Sequence, residues 1–106
     1  RTDNQWARAK GFDTSCPIGP WIETDLDTDN LSIKAYLDGD LVQDGNTSDM
    51  IWGVRELVSY VSQAFTLLPG DIILTGTPAG VGQITEGQRI EIQVEGIGTL
   101  ANIVRG

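Results

Sequence analysis

The chain has 106 residues, enough for one domain and too few for two with separate cores. Fifteen acidic against seven basic side chains give a formal charge of −8, which repels nucleic acid and anionic membranes, because phosphate binding depends on Lys and Arg. Cys16 is the only cysteine and there is no histidine, so these residues can build no intrachain disulfide, no Cys-based zinc site, no His metal ligand and no Ser-His-Asp or Cys-His centre.

Residues 1–20 show no periodicity, and Pro17, Gly19 and Pro20 suggest an extended, turn-rich segment. Glu23 to Asn30 reads as a polar acidic loop. Leu31, Ile33, Ala35 and Leu37 then alternate with Ser32, Lys34 and Tyr36, the period of a half-buried strand. Asp38-Gly39 signals a tight turn, and Leu41-Val42-Gln43 can pair back as a hairpin.

Met50, Val54, Leu57, Val58, Val61, Ala64 and Phe65 recur at three- and four-residue steps. That single apolar stripe predicts one main helix, about residues 48–66, packed on a sheet. Thr47 or Ser48 is the expected N-cap, and Pro69-Gly70 lies beyond the end. Ile72-Ile73-Leu74 reads as a short buried strand leading into the glycine-rich run Thr75–Gly82. Ile90, Ile92 and Val94 alternate with polar residues, and Gly96 and Gly98 turn the chain into Leu100–Val104, a second hairpin. The expected fold class is α+β, a strand-rich, antiparallel or mixed sheet with one main helix, in a single domain spanning 1–106. No stretch approaches 18 apolar residues, and the polar start is unlike a signal peptide, so a cytoplasmic location is expected.

Four features bear on chemistry. The run Asp25-x-Asp27-x-Asp29 lacks the Gly and Glu of a calcium loop, with Asn30 and Tyr36 at those positions, and reads as a solvated loop. Glu91 and Glu95 share a strand face but stand roughly 13 Å apart, too far for a joint metal site. The run Leu74–Gly82 follows a strand but matches neither GxxxxGK[ST] nor GxGxxG. It is either a tight connection or a ligand loop in which glycines admit a ligand and Thr75 and Thr77 present hydroxyls. Lys10, beside Gly11-Phe12-Asp13 and between Trp6 and Pro17, is either a solvated charge or a desolvated ammonium able to polarise a carbonyl or hold a carboxylate.

Five runs taken together resemble the fumarylacetoacetate hydrolase family, in order and over nearly the whole chain. They are Gln5–Asp13 (QWARAKGFD), Cys16–Ile22 (CPIGPWI), Asn46–Ile51 (NTSDMI), Leu67–Gly82 (LLPGDIILTGTPAGVG) and Glu95–Asn102 (EGIGTLAN). The resemblance implies a mixed β-roll, homodimers, a Mg²⁺ or Mn²⁺ ion, and small-molecule substrates with a 2-oxo or 2,4-dioxo acid unit. Members hydrolyse a C–C bond, decarboxylate, or interconvert enol and ketone, steps that share an enolate. By the same resemblance Lys10 is a catalytic residue near metal and substrate. Thr77 contacts the substrate carboxylate, with Gly76 and Thr75 in the same substrate-binding loop.

The family's metal carboxylates, a Glu-x-Glu pair and an Asp, and its His/Glu pair on a lid lie upstream of the segment holding Lys10. The chain is therefore expected to be the carboxyl-terminal part of a catalytic domain, without the metal ligands and inactive alone. The alternative is a non-catalytic, dimeric binding module derived from that family.

Overall fold

The structure, a computed structural model, describes residues 16–105. Two hairpins make its one sheet: β1 (Ser32–Leu37) with β2 (Asp40–Asn46), and β3 (Arg89–Val94) with β4 (Gly98–Ile103). The strand order is β2-β1-β3-β4, and all three pairings are antiparallel. Among the described residues, the sheet with one α-helix is the α+β arrangement that the alternation and the helical stripe predict.

The Asp38-Gly39 turn forms as expected, with φ of +50° and +87°, the positive values a two-residue hairpin turn requires. Its corner is tied to the third strand: Asp38 N donates to Arg89 O, and Arg89 N donates to Asp38 Oδ1, both at 2.8 Å. Register sets the faces. Ile33, Ala35 and Leu37 lie opposite Val94, Ile92 and Ile90, and directly paired residues project to the same side. That side is apolar. Lys34 and Tyr36 share the other with Gln93 and Glu91, where Arg89 and Glu91 form an ion pair at 3.2 Å.

Two irregular segments cover opposite ends of the apolar face. Pro20 and Trp21 sit against Gly98 at the β4 end, while Pro78 sits against Gly45 at the β2 end. Between them Ala35, 6% exposed, is the one buried hydrophobic residue among those described.

The helix is shorter than the stripe predicts. Helix α1 spans Val54–Ala64, with Gly53 as its N-cap, and none of its residues is fully buried. Thr47 and Ser48 do not cap it. Thr47 is drawn to the start of β1 instead: its N–H donates to Leu31 O (2.9 Å), and its hydroxyl accepts from Leu31 N (2.8 Å). A separate 3₁₀ turn, Thr47–Asp49, follows, capped by Asn46 Oδ1 on Ser48 N at 2.9 Å. Met50 is then extended. Residues 50–53 are consequently a connector whose apolar side chains extend the stripe in sequence but not in space.

Ile72-Ile73-Leu74 is also not a strand. An apolar run encodes an extended chain, but a strand needs a neighbour to complete its ladder, and none of the described residues pairs with this segment. Glu95 likewise falls outside β3. It sits in the turn, its N–H donating to Ser32 O at 3.0 Å. Among the described residues no helix is long and apolar enough to cross a membrane.

Candidate functional site

Strand β2 builds the site by departing from regularity. Ala35 pairs with Gln43 and Tyr36 with Leu41, so Val42 is an extra residue, a β-bulge. Bulges re-aim the side chains around them. Beyond the bulge, Gln43 and Gly45 point to the apolar side of the sheet, where the loop carrying Thr77 and Pro78 lies across them.

Contacts at Gln43, Gly45 and Gly80 hold that loop. Gln43 Nε2 donates to Thr77 Oγ1 and to Pro78 O, each at 2.9 Å. Gly45 lets Pro78 pack on bare backbone, since a Cβ there would lie 3.0 Å from Pro78 Cβ. Gly80, at φ +103°, sits so close to the Val42 carbonyl that a Cβ on it would overlap that oxygen. Glycine within a strand or loop marks such close approach of backbones.

The loop so placed forms one wall of an open cleft of about 440 Å³. Thr75, Gly76, Thr77 and Pro78 make that wall. Asn46, Thr47 and Asp49 of the 3₁₀ turn, with Met50, Ile51 and Trp52, make the facing one, and Ile33 and Leu57 complete it. A mostly apolar concavity with a few convergent polar groups is the usual form of a small-molecule site. The predicted substrate-binding residues Thr75, Gly76 and Thr77 therefore come together on it. Lys10, the predicted catalytic residue, lies outside the described residues.

The polar groups favour a particular kind of guest. Thr75 and Thr77 are exposed to the cleft's solvent, and Gly76, with φ +99° and open space where a Cβ would be, leaves backbone accessible. Hydroxyls and N–H groups bind an oxyanion by donation. Among the described residues no Lys or Arg lines the cleft, and Asp49 adds a negative charge. An anion held here needs a cation from beyond the described wall. The described residues do not offer a divalent-cation site either: no three His, Cys, Asp or Glu side chains group together among them, and Asp49 is the single carboxylate lining the cleft. A hard cation wants several oxygen ligands, so the donors present do not fit one.

Sequence reasoning assigns no role to the 3₁₀-turn wall or to the Gln43 clamp. Their signal was the pair Gln43 and Gly45, a polar residue and a glycine at alternate positions of a strand.

The family model for the fumarylacetoacetate (FAA) hydrolase C-terminal region matches residues 1–105. Protein Rv2993c of Mycobacterium tuberculosis is 52% identical over 107 residues, which cover 98% of this chain and 40% of that protein. The crystal structure of 2-hydroxyhepta-2,4-diene-1,7-dioate isomerase from Mycobacterium marinum superposes with a TM-score of 0.91 at 54% identity, covering 93% of this chain and 39% of that one. Maleylpyruvate hydrolase from Sphingobium sp. SYK-6, in complex with manganese(II) ion and pyruvate, superposes with a TM-score of 0.83 at 41% identity, covering 87% and 36%. The chain thus spans about two fifths of the length of the curated relatives it matches. With the antiparallel sheet, the helix and the glycine-rich loop all in place, this chain belongs to the fumarylacetoacetate hydrolase family.

Proposed function

We propose that this chain supplies the carboxylate-binding wall of an enzyme acting on 2-oxo or 2,4-dioxo acids by hydrolysis, decarboxylation or isomerisation. One observation carries the reading: the Thr77 hydroxyl is held at the cleft by a donor, Gln43. A hydroxyl that already accepts one bond has its own proton to give, and a carboxylate is the strongest acceptor for it. The manganese and pyruvate bound to the Sphingobium hydrolase support the substrate class, since pyruvate is a 2-oxo acid.

In this reading Thr77 and the Gly76 backbone hold the carboxylate, and Met50, Ile51 and Trp52 screen the carbon chain from water. Lys10 brings positive charge to the 2-oxo oxygen, offsetting Asp49 and stabilising the enolate common to the three reactions. A divalent ion would need carboxylates that the described residues lack.

The test is a pyruvate titration of the 106-residue chain followed by NMR. Shifts at Thr75–Pro78 and Met50 are expected. Thr77→Val, which removes the hydroxyl while keeping the shape, should weaken binding about tenfold, the scale of a hydrogen bond to a charged group. Equal affinity of the two proteins would overturn the assignment.

A second proposal concerns assembly. Ile51, Trp52, Tyr60 and Phe65 are 92%, 60%, 74% and 70% exposed, more large apolar surface than a lone soluble domain of this size presents as isolated residues. The chain is proposed to form a homodimer that covers part of it. Sedimentation velocity should give a dimer at tens of micromolar, and a monomer over the whole accessible concentration range would refute the idea.

A further inference from the structure

We propose that Gln43 is a positioning residue: its amide fixes the Thr77 hydroxyl as a proton donor facing the cleft. The proposal rests on the reading of Thr77 as the group that meets the substrate carboxylate.

The geometry restricts the amide to one orientation. Pro78 O is a pure acceptor, so the group 2.9 Å from it must be the NH₂ and not the carbonyl of Gln43. The same nitrogen lies 2.9 Å from Thr77 Oγ1. Its two N–H groups are thus both committed, one to each neighbour in the loop. Thr77 Oγ1 accepts, and a threonine hydroxyl has a single proton, which cannot return along the bond it is receiving. The directions left to it lead toward the cleft, where Thr77 is exposed. Were the amide replaced by an acceptor, the proton would turn back to that acceptor, and the hydroxyl would offer an anion its lone pairs instead.

The amide itself is well anchored. Gln43 is half-buried on β2, directly opposite Ala35, immediately after the bulge at Val42. Gly45 and Gly80 let Pro78 and the loop backbone come within its reach. A side chain serving only as a staple would need one bond to the backbone at Pro78. The second bond, to a hydroxyl on the cleft, is what sets a functional orientation.

Gln43→Glu tests this, because the carboxylate has nearly the same shape and can only accept. It is expected to weaken pyruvate binding at least as much as Thr77→Val does, roughly tenfold or more. Made in the Gln43→Glu background, Thr77→Val should cost no further affinity, since two residues acting through one hydroxyl are not additive. A staple role predicts the opposite: Gln43→Glu and the apolar isostere Gln43→Met weaken binding equally, and each adds to Thr77→Val. Either additivity or equality overturns the proposal.

Ligand-free NMR provides the readout that separates this proposal from the functional reading. The Gln43 side-chain NH₂ should exchange slowly, and one of its two protons should lose protection in Thr77→Val. If the wild-type chain binds no pyruvate but this response is seen, the substrate assignment fails and the orienting bond stands. If the NH₂ does not respond to Thr77→Val, the proposal fails whatever pyruvate does. Should Gln43→Glu not fold, Gln43→Met and the wild-type NH₂ measurement still decide it.

Discussion

Ala35→Asp is expected to leave the chain unfolded at neutral pH. Ala35 is 6% exposed on β1, the strand flanked on both sides, between Gln43 of β2 and Ile92 of β3. A carboxylate there has no partner. The nearest polar side chain in register is Gln43, and both of its N–H groups are engaged by Thr77 and Pro78. An uncompensated buried charge costs about 3–5 kcal/mol. Small domains have only about 5–15 kcal/mol of net stability, and one with a single buried hydrophobic residue among those described sits at the low end of that range. Burial raises the carboxyl's folded pKa above its unfolded value of about 3.9. The penalty is therefore absent at pH below that value and grows as pH rises. Far-UV circular dichroism should show the sheet signal lost at pH 7 and partly regained near pH 3. Ala35→Ser, which adds a hydroxyl and no charge, should stay folded. A urea midpoint for Ala35→Asp equal to that of wild type would show that the centre of the sheet is not the core.

Much of this architecture is legible in the residues because it follows from local rules. Alternation of period two assigns β1 and β3 and their apolar side, and the Asp38-Gly39 and Gly96 turns imply the partner strands that complete the two hairpins. The resemblance places Thr75, Gly76 and Thr77 in a ligand loop, and the structure brings all three to the cleft. What eludes the sequence is set by contacts between distant residues. Met50, Ile51 and Trp52 fit the helical stripe, yet Thr47 spends its hydroxyl and its amide on Leu31, sixteen residues upstream, so the chain cannot begin the helix there. Ile72–Leu74 has the composition of a buried strand, but a ladder depends on which edge stands beside it. The clamp is the hardest to foresee. Gln43 reaches residues 34 and 35 positions away, and nothing in a single strand's pattern names that partner.

Gly80→Ala is expected to weaken ligand binding about a hundredfold while costing the fold comparatively little. Two penalties coincide at this residue. Its φ of +103° is a region that a Cβ disfavours, worth about 1–3 kcal/mol, and the added methyl would overlap the Val42 carbonyl oxygen. Which side yields depends on what holds each. Val42 belongs to β2, whose backbone is fixed by its pairing with β1 on both sides of the bulge. The loop is held by two Gln43 hydrogen bonds and the Pro78 contact, and each such bond contributes about 0.5–1.5 kcal/mol net. Strain of about 3 kcal/mol matches or exceeds that sum, so the loop lifts and carries Thr77 off its donor. The stability loss is then capped near the value of the contacts released, about 2–3 kcal/mol. Binding fares worse, because the loop must be driven back into its strained position before Thr77 can meet a carboxylate. At about 1.4 kcal/mol per factor of ten, that lowers pyruvate affinity about a hundredfold, beyond the effect of deleting the Thr77 hydroxyl. Gly82→Ala is the internal control: a Cβ there meets open space, and binding should be unchanged. The same NMR titration reads both variants, with the Gln43 side-chain NH₂ losing protection in Gly80→Ala and keeping it in Gly82→Ala. Wild-type affinity in Gly80→Ala would mean that the cleft does not depend on the loop's seat against the bulge.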